Sequence, residues 1–358
     1  MWPWRLFRQR EVNFLSDNSA PVAPAVLDAI ANANDGFATG YGDDDWTRSV
    51  ERRLSEIFER DVAAFLVPTG TAANALALAH ITPPWGVVLC HAESHAATDE
   101  CGAPEFFGGG LKLLGLPGEK GKLTADSVED ALPGGSGHRP HQMIASALSI
   151  TQATEAGTIY HPDEIAALCE VAHRHSLAVH MDGARFANAI VRLGATPAQM
   201  TWQSGVDVLS FGMTKVGALS AEAIVFFDPA RAAFMAERRK RGGHLLSKHR
   251  FVAAQVAAIL AENRWIELAR HANDMADRLA SKLVSAGLAP VWPVEANLVF
   301  VALPRTLNIQ LRAAGAQYYA RPSASLNFGD DKIVARLVTS FATRKDEVDR
   351  FARLCSTE

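Results

Sequence analysis

Two stretches decide the fold: His180-Met-Asp-Gly-Ala-Arg185 and, further along, Asp207-Val-Leu-Ser-Phe-Gly-Met-Thr-Lys215. Each is an apolar run that closes on a side chain with chemistry, Asp182 in the first and Lys215 in the second. Short apolar runs bounded by turn residues read as strands buried on both faces. The carboxylate and the amine are therefore expected at strand ends, on one edge of a sheet. A lone Lys in a loop is ordinarily just solvated. An Asp and a Gly/Thr turn upstream and an Arg downstream give this one a context.

Working outward, comparable runs recur at Ala63-Ala-Phe-Leu-Val67, Gly86-Val-Val-Leu-Cys-His91, Leu111-Lys-Leu-Leu114, Met143 to Ile150, Leu177 to Asp182, Val206 to Phe211 and Ala223-Ile-Val-Phe-Phe227. Amphipathic segments separate them, and Pro162-Asp-Glu-Ile starts one with Pro and two acids, as a helix should. Strands alternating with helices give an α/β architecture with a largely parallel sheet, whose ligands gather beyond the strands' carboxyl ends. From Phe251 an Ala-rich helical stretch leads to a smaller α+β unit with strands at Asn297 to Leu303 and Ile333 to Phe341. The expected division is a variable tail over 1–15, a large domain over 16–250 and a small domain over 251–358. Leu132 to Pro140 reads as a surface loop, and two positions beyond its Ser136 stands His138 rather than the Gly that a G-x-S-x-G nucleophile elbow needs.

The chain has 358 residues, 48% of them hydrophobic, with a formal net charge of -4. That length and composition suit a large core, and the charge supplies no basic field for nucleic acid. No run approaches the ~18 apolar residues of a membrane span. The N-terminal Met-Trp-Pro-Trp-Arg-Leu-Phe-Arg-Gln-Arg lacks the apolar stretch of a secretory signal. Cys90, Cys101, Cys169 and Cys355 form no CxxC pair, which points to a reducing cytoplasm.

Thr69-Gly-Thr-Ala-Ala-Asn follows a strand and opens a helix, where backbone N–H groups of Gly70 and Thr71 can cradle a phosphate. Neither G-x-G-x-x-G nor a Walker pattern occurs, so nucleotides fit worse. Together with Asp182 and Lys215 the cradle reads as a pyridoxal phosphate site, with a Schiff base on Lys215 and Asp182 at the ring nitrogen. His91-Ala-Glu-Ser-His95 is not the H-E-x-x-H of a zinc site, and no metal is expected. His95 is the candidate to stack on the cofactor ring, while His91 is equally well a capped or buried histidine. In the basic segment Gly243 to Arg250, Lys248 is the candidate second hold on the phosphate, against the ordinary reading of a solvated helix start.

Ser16-Asp-Asn, Tyr41-Gly-Asp-Asp, Thr69-Gly-Thr-Ala-Ala-Asn, Thr98-Asp-Glu-Cys-Gly-Ala-Pro-Glu-Phe-Phe, Ile150-Thr-Gln-Ala-Thr-Glu, His180-Met-Asp-Gly-Ala-Arg, Ser210-Phe-Gly-Met-Thr-Lys and Ala335-Arg-Leu-Val-Thr-Ser-Phe occur in this order. In these segments, which span nearly the whole chain, the sequence resembles the low-specificity L-threonine aldolases of pyridoxal phosphate fold type I, close to the bacterial phenylserine aldolases. The resemblance implies a seven-stranded large domain and cleavage of L-β-hydroxy-α-amino acids to glycine and an aldehyde. It makes Arg185 and Arg336, aided by Ser16, the candidates for the substrate carboxylate. It also implies a homodimer or homotetramer in which Tyr41-Gly-Asp-Asp and residues 242–250 lie near a neighbour's site. The wider family often has a histidine in the segment Ile150 to Glu155. Here only Thr151, Thr154 and Glu155 are on offer, so the acceptor for the β-hydroxyl proton stays open. Close relatives also often carry Gly and Asn where Met213 and Val216 flank the lysine. The competing expectations are another fold-type-I activity, β-eliminating or transaminating, and a silent binding protein on the same fold.

Overall fold

The computed structural model describes residues 12–132, 140–321 and 331–356. The tail before residue 12 and the loop at 133–139, with Ser136, lie outside the described residues. In chain order the strands are β1 (Val12–Asn13), β2 (Ala63–Val67), β3 (Gly86–His91), β4 (Lys112–Leu116), β5 (Ile144–Thr151), β6 (Ala178–Gly183), β7 (Val208–Gly212), β8 (Glu222–Phe226), β9 (Leu298–Pro304), β10 (Ala316–Gln317), β11 (Tyr319–Arg321) and β12 (Lys332–Val338). Seven of them form the central sheet in the order β2-β8-β7-β6-β5-β3-β4, as expected. The pairs from β7 through β4 are parallel, and β8 runs antiparallel to both its neighbours. A parallel partner would need a crossover of a dozen or more residues. The connection between Gly212 and Glu222 is shorter than that, so β8 returns beside β7 and the intervening turn, with Lys215, stays at the strands' carboxyl edge.

Successive strand residues point to opposite faces, so each strand feeds two cores. Leu209 and Val225 join the larger cluster with Val179 and Met181, while Val208, Ile224 and Phe226 meet the helix Gly70–Ile81. That helix is buried from Ala72 through Ala79, and its small side chains let its axis approach the sheet closely. Its amino end thereby comes to the edge where Asp182 and Lys215 sit. The helix Pro162–Arg174 covers the other face, with Pro in its first turn and the Glu164 carboxylate accepting from the His161 N–H at 2.7 Å.

The helix Arg264–Ser285 joins the two cores: Trp265 and Ala269 belong to the large cluster, and Met275, Leu279 and Leu283 to that of the C-terminal unit. The latter is built on an antiparallel sheet of order β11-β12-β9. Val12 and Phe14, in the stretch read as a tail, pack into it, and β1 pairs with β10 in parallel. The boundary expected at residues 250 and 251 falls in the first turn of the helix Arg250–Leu260, whose Val252, Val256 and Leu260 pack into the large core. Among the described residues no helix is long and apolar enough to cross a membrane.

Candidate active site

The turn with Lys215 is pinned from three directions. Gly212 ends β7 where a Cβ would stand 2.7 Å from the Ala184 Cα, so only glycine lets the two strand ends lie side by side. Glu222, buried at the start of β8, accepts the Met213 N–H at 2.6 Å, and burial pushes its carboxyl up to about 7. The Gln255 side-chain oxygen accepts the N–H groups of Leu219 and Ser220 at 3.0 and 2.9 Å. A single helical turn, Thr214–Val216, then carries Lys215 to a cavity of about 350 Å³.

Gly70, Thr71, Asn74, His95 and Asp182 line the same cavity, together with Asn18. The Thr69 hydroxyl accepts the Ala72 N–H at 3.1 Å and so caps the helix start. The other first-turn N–H groups have no partner within the helix. A Cβ on Gly70 would meet nothing within 4 Å, so the space over this positive end is open.

Asp182 is nearly buried at the end of β6, its Oδ1 accepting the Ala184 N–H at 3.0 Å and its Oδ2 accepting from Asn74 Nδ2 at 2.9 Å. Asn74 Nδ2 also donates to Glu100 Oε1 at 2.8 Å, and His95 Nδ1 lies 2.9 Å from the same oxygen. Burial raises the Glu100 carboxyl above the usual carboxylate range, and the hydrogen bond to Glu100 raises His95 above that of an ordinary imidazole. Beneath this row His180 stands between the Ser149 and Ser210 hydroxyls at 2.9 Å each, held near 4 by burial and thus neutral at pH 7.

The expected substrate-side residues are placed differently. Arg185 is buried and gives Nε and Nη2 to Asp17 at 2.8 and 3.1 Å. Burial alone would raise the Asp17 carboxyl, but the guanidinium overrides it and holds the group at about 2. Asn297 Nδ2 adds a third donor to Asp17 at 3.1 Å. Ser16 caps the short turn Asp17–Ser19 by accepting the Asn18 N–H at 3.1 Å. Arg336 lies on β12 opposite Phe300 and Tyr319, with Nη1 3.5 Å from the Leu15 carbonyl. None of the three is among the cavity-lining residues. Lys248 is exposed on the turn that precedes Arg250, beside the Tyr41 segment, whose N–H donates to the Ser247 carbonyl at 2.9 Å, and it also lies outside the cavity lining. Of the three residues on offer at the end of β5 and beyond it, Thr151 closes the strand, Thr154 is fully buried and bonded to Thr158 and the Lys120 carbonyl, and half-buried Glu155 lies close enough to His95 and Arg185 to favour both as cations. His91 stands apart, its ring nitrogens bonded to the Gly118 carbonyl and the Glu93 N–H.

Sequence reading passed over Asn74, Glu100 and Glu222. The first two stand inside the quoted segments, but the contacts that matter span 26 and 108 positions, which no local pattern reports. Glu222 had one available signal, an acid heading an otherwise apolar strand.

These side chains fit pyridoxal phosphate: an open helix start for the phosphate, a strand-end amine, and a carboxylate between them whose acceptor-only oxygens suit a protonated ring nitrogen. The beta-eliminating lyase family model matches residues 13–305. The chain is 44% identical to the low specificity L-threonine aldolase of Pseudomonas aeruginosa over 309 residues, covering 86% of this chain and 88% of that protein. A second such aldolase, from a Pseudomonas species, is 42% identical with the same coverage. Among solved structures, the threonine aldolase of Leishmania major superposes with a TM-score of 0.89 at 29% identity, over 96% of this chain and 98% of that one.

Proposed function

The chain belongs to the low-specificity L-threonine aldolases within the beta-eliminating lyase family, and from that membership we propose that its cavity cleaves L-β-hydroxy-α-amino acids to glycine and an aldehyde. It is a pyridoxal phosphate-dependent lyase. The observation that carries the reading is the meeting of Lys215, Asp182 and the Gly70 helix start in one cavity.

When bound, pyridoxal phosphate supplies the electron sink for the pair left on Cα as the Cα–Cβ bond breaks. Lys215 provides the amine that holds the cofactor, and Gly70 and Thr71 hold its phosphate through backbone N–H groups at the positive end of the helix. Asp182 keeps the ring nitrogen protonated, because a negative charge at close range favours the cation. His95, which lines the same cavity, would stack on the ring of the bound cofactor. Arg336 takes the substrate carboxylate through its planar pair of donors, and Ser16 adds a hydrogen bond. Arg185 backs that side through its pairing with Asp17, Glu155 lends negative charge beside His95 and Arg185, and Lys248 reaches the phosphate of a neighbouring subunit.

Oligomerisation follows from the same reading. Phe106 and Phe234, 79% and 76% exposed, flank a groove of about 940 Å³ away from the cavity, a surface suited to burial in a homodimer or homotetramer. Sedimentation at assay concentration should give at least a dimer, and a fully active monomer would reject this. The four cysteines are all unpaired, three of them buried, in keeping with a cytoplasmic enzyme. The decisive assay is glycine release from L-threonine, L-allo-threonine and L-threo-phenylserine. Glycine with the matching aldehyde is expected, and pyruvate with ammonia would transfer the protein to the eliminating enzymes.

A further inference from the structure

One carboxylate beside the cavity has no part in the chemistry above. The Glu100 side chain is 0% exposed, and a single oxygen, Oε1, meets both His95 Nδ1 and Asn74 Nδ2. Its other oxygen has no hydrogen-bond partner among the described residues. Burying a carboxyl so incompletely satisfied is costly, and an apolar side chain of similar size would pack there without that cost. What it provides lies in the ring it holds. A carboxylate accepts only, so the nitrogen it faces carries the proton. A histidine fixed in this way through Nδ1 leaves Nε2 as the one ring nitrogen able to exchange a proton. Asn74 keeps the arrangement in register with the cofactor side, since the same Nδ2 reaches Asp182 Oδ2 at 2.9 Å.

We propose that Glu100 is a positioning residue that sets the tautomer and proton affinity of His95, so that the neutral ring presents a bare Nε2 to the cavity, with Asn74 fastening the pair to Asp182. The proposal rests on the aldolase reading for what Nε2 receives. In that reading the substrate β-O–H bond breaks and its proton passes to Nε2. The O–H electron pair becomes the second C–O bond of the aldehyde, and the Cα–Cβ pair stays with the glycine carbon, where a proton later replaces Cβ. The imidazolium so formed faces Glu100, Asp182 and Glu155, whose negative charges favour it, against Lys215, which opposes it.

The test is ring ¹⁵N NMR of His95 across pH in the cofactor-loaded protein, assigned by the signal lost in His95→Gln. The wild type should show the Nδ1–H tautomer when neutral. In Glu100→Gln, where the amide oxygen still accepts from Nδ1 but the charge is gone, the tautomer should persist. The ring's proton affinity should fall about tenfold, one pH unit, and the acidic limb of kcat/KM should move down by the same amount. A merely structural Glu100 would lower activity at all pH values without moving either midpoint. An Nε2–H tautomer in the wild type, or an unmoved midpoint in Glu100→Gln, overturns the proposal, and the wild-type tautomer decides the matter alone if the variant does not fold. Absence of glycine release with the tautomer and the ring's own midpoint as stated would instead break the aldolase reading.

Discussion

On the sheet side of the cavity, Lys215, Asp182 and Thr71 come from two strand ends and a helix start within one layered unit. Outside the cavity lining, Ser16, Arg185 and Arg336 come from distant parts of the chain and approach one another through Asp17 and the Leu15 backbone. The first group is placed by the sheet itself, since parallel strands bring their carboxyl ends to a common edge wherever the chain folds this way. The second group depends on tertiary contacts spanning 168 and 321 positions. The first group is therefore fixed by the construction of the sheet, while the second is held by a buried ion pair and by the docking of β12 near the amino-terminal turn.

Substitutions on the sheet side should abolish chemistry and spare the fold. Lys215→Ala is expected to remove steady-state turnover altogether while pyridoxal phosphate still binds noncovalently, which equilibrium dialysis can measure. Turnover at a substantial fraction of wild type would show that another amine does the work. Asp182→Asn comes next. It should lower the proton affinity of the ring nitrogen by roughly a thousandfold, the ~3 pKa units an adjacent charge supplies, and slow cleavage far more than cofactor binding. Near-native cleavage with a full complement of cofactor would remove Asp182 from that role.

The second group should respond in stability and, on the proposed reading, in substrate binding. Arg185→Ala leaves Asp17 buried and unpaired, a change that typically costs about 3–5 kcal/mol and is read as a lowered denaturation midpoint. The pairing also has a pH signature. Asp17 is held at about 2 against an ordinary 3.8, so its contribution, roughly 2 kcal/mol, is present above pH 3.8 and lost as pH falls through 2. Asp17→Asn should flatten that acid-side loss in urea titrations between pH 4 and 2. Arg336→Ala should raise KM by roughly thirtyfold, the ~2 kcal/mol of a charged hydrogen-bonded contact, with the smaller effect on kcat. A lowered kcat at unchanged KM would place Arg336 in the transition state rather than in binding.

The smallest difference concerns the β-substituent. On the proposed reading the essential grips fall on the carboxylate and the cofactor, and an added apolar contact is worth only about 1–3 kcal/mol, so L-threonine and L-threo-phenylserine should differ by no more than roughly 200-fold in kcat/KM. Cleavage of one and not the other would contradict that breadth.

The same contrast explains what was legible in the sequence. Asp182, Lys215 and the Gly70 turn announce themselves because an apolar run ending on a polar residue is a local pattern. The boundaries of β5, β6 and β9 follow from apolar patterning in the same way, each within a residue, whereas β12 stops at Val338, three residues short of the expected Phe341. Arg185 was visible as a residue, yet nothing local says that its guanidinium is committed to Asp17. Phe14, in a stretch read as a tail, is tied to Phe351 across the small core with ring centroids 5.3 Å apart, a contact between opposite ends of the chain. Glu100 and Asn74 escaped for the same reason: each sits in an ordinary helical or turn context, and only the fold brings them to a shared hydrogen bond.

The central claim is that the strand-end lysine, and no other, carries the cofactor at the edge where Asp182 and the Gly70 helix start converge. Borohydride reduction of the loaded protein followed by peptide mapping tests it most directly. A single pyridoxyl group on Lys215 is the expected result, and a label on Lys248 or any other lysine would contradict the account.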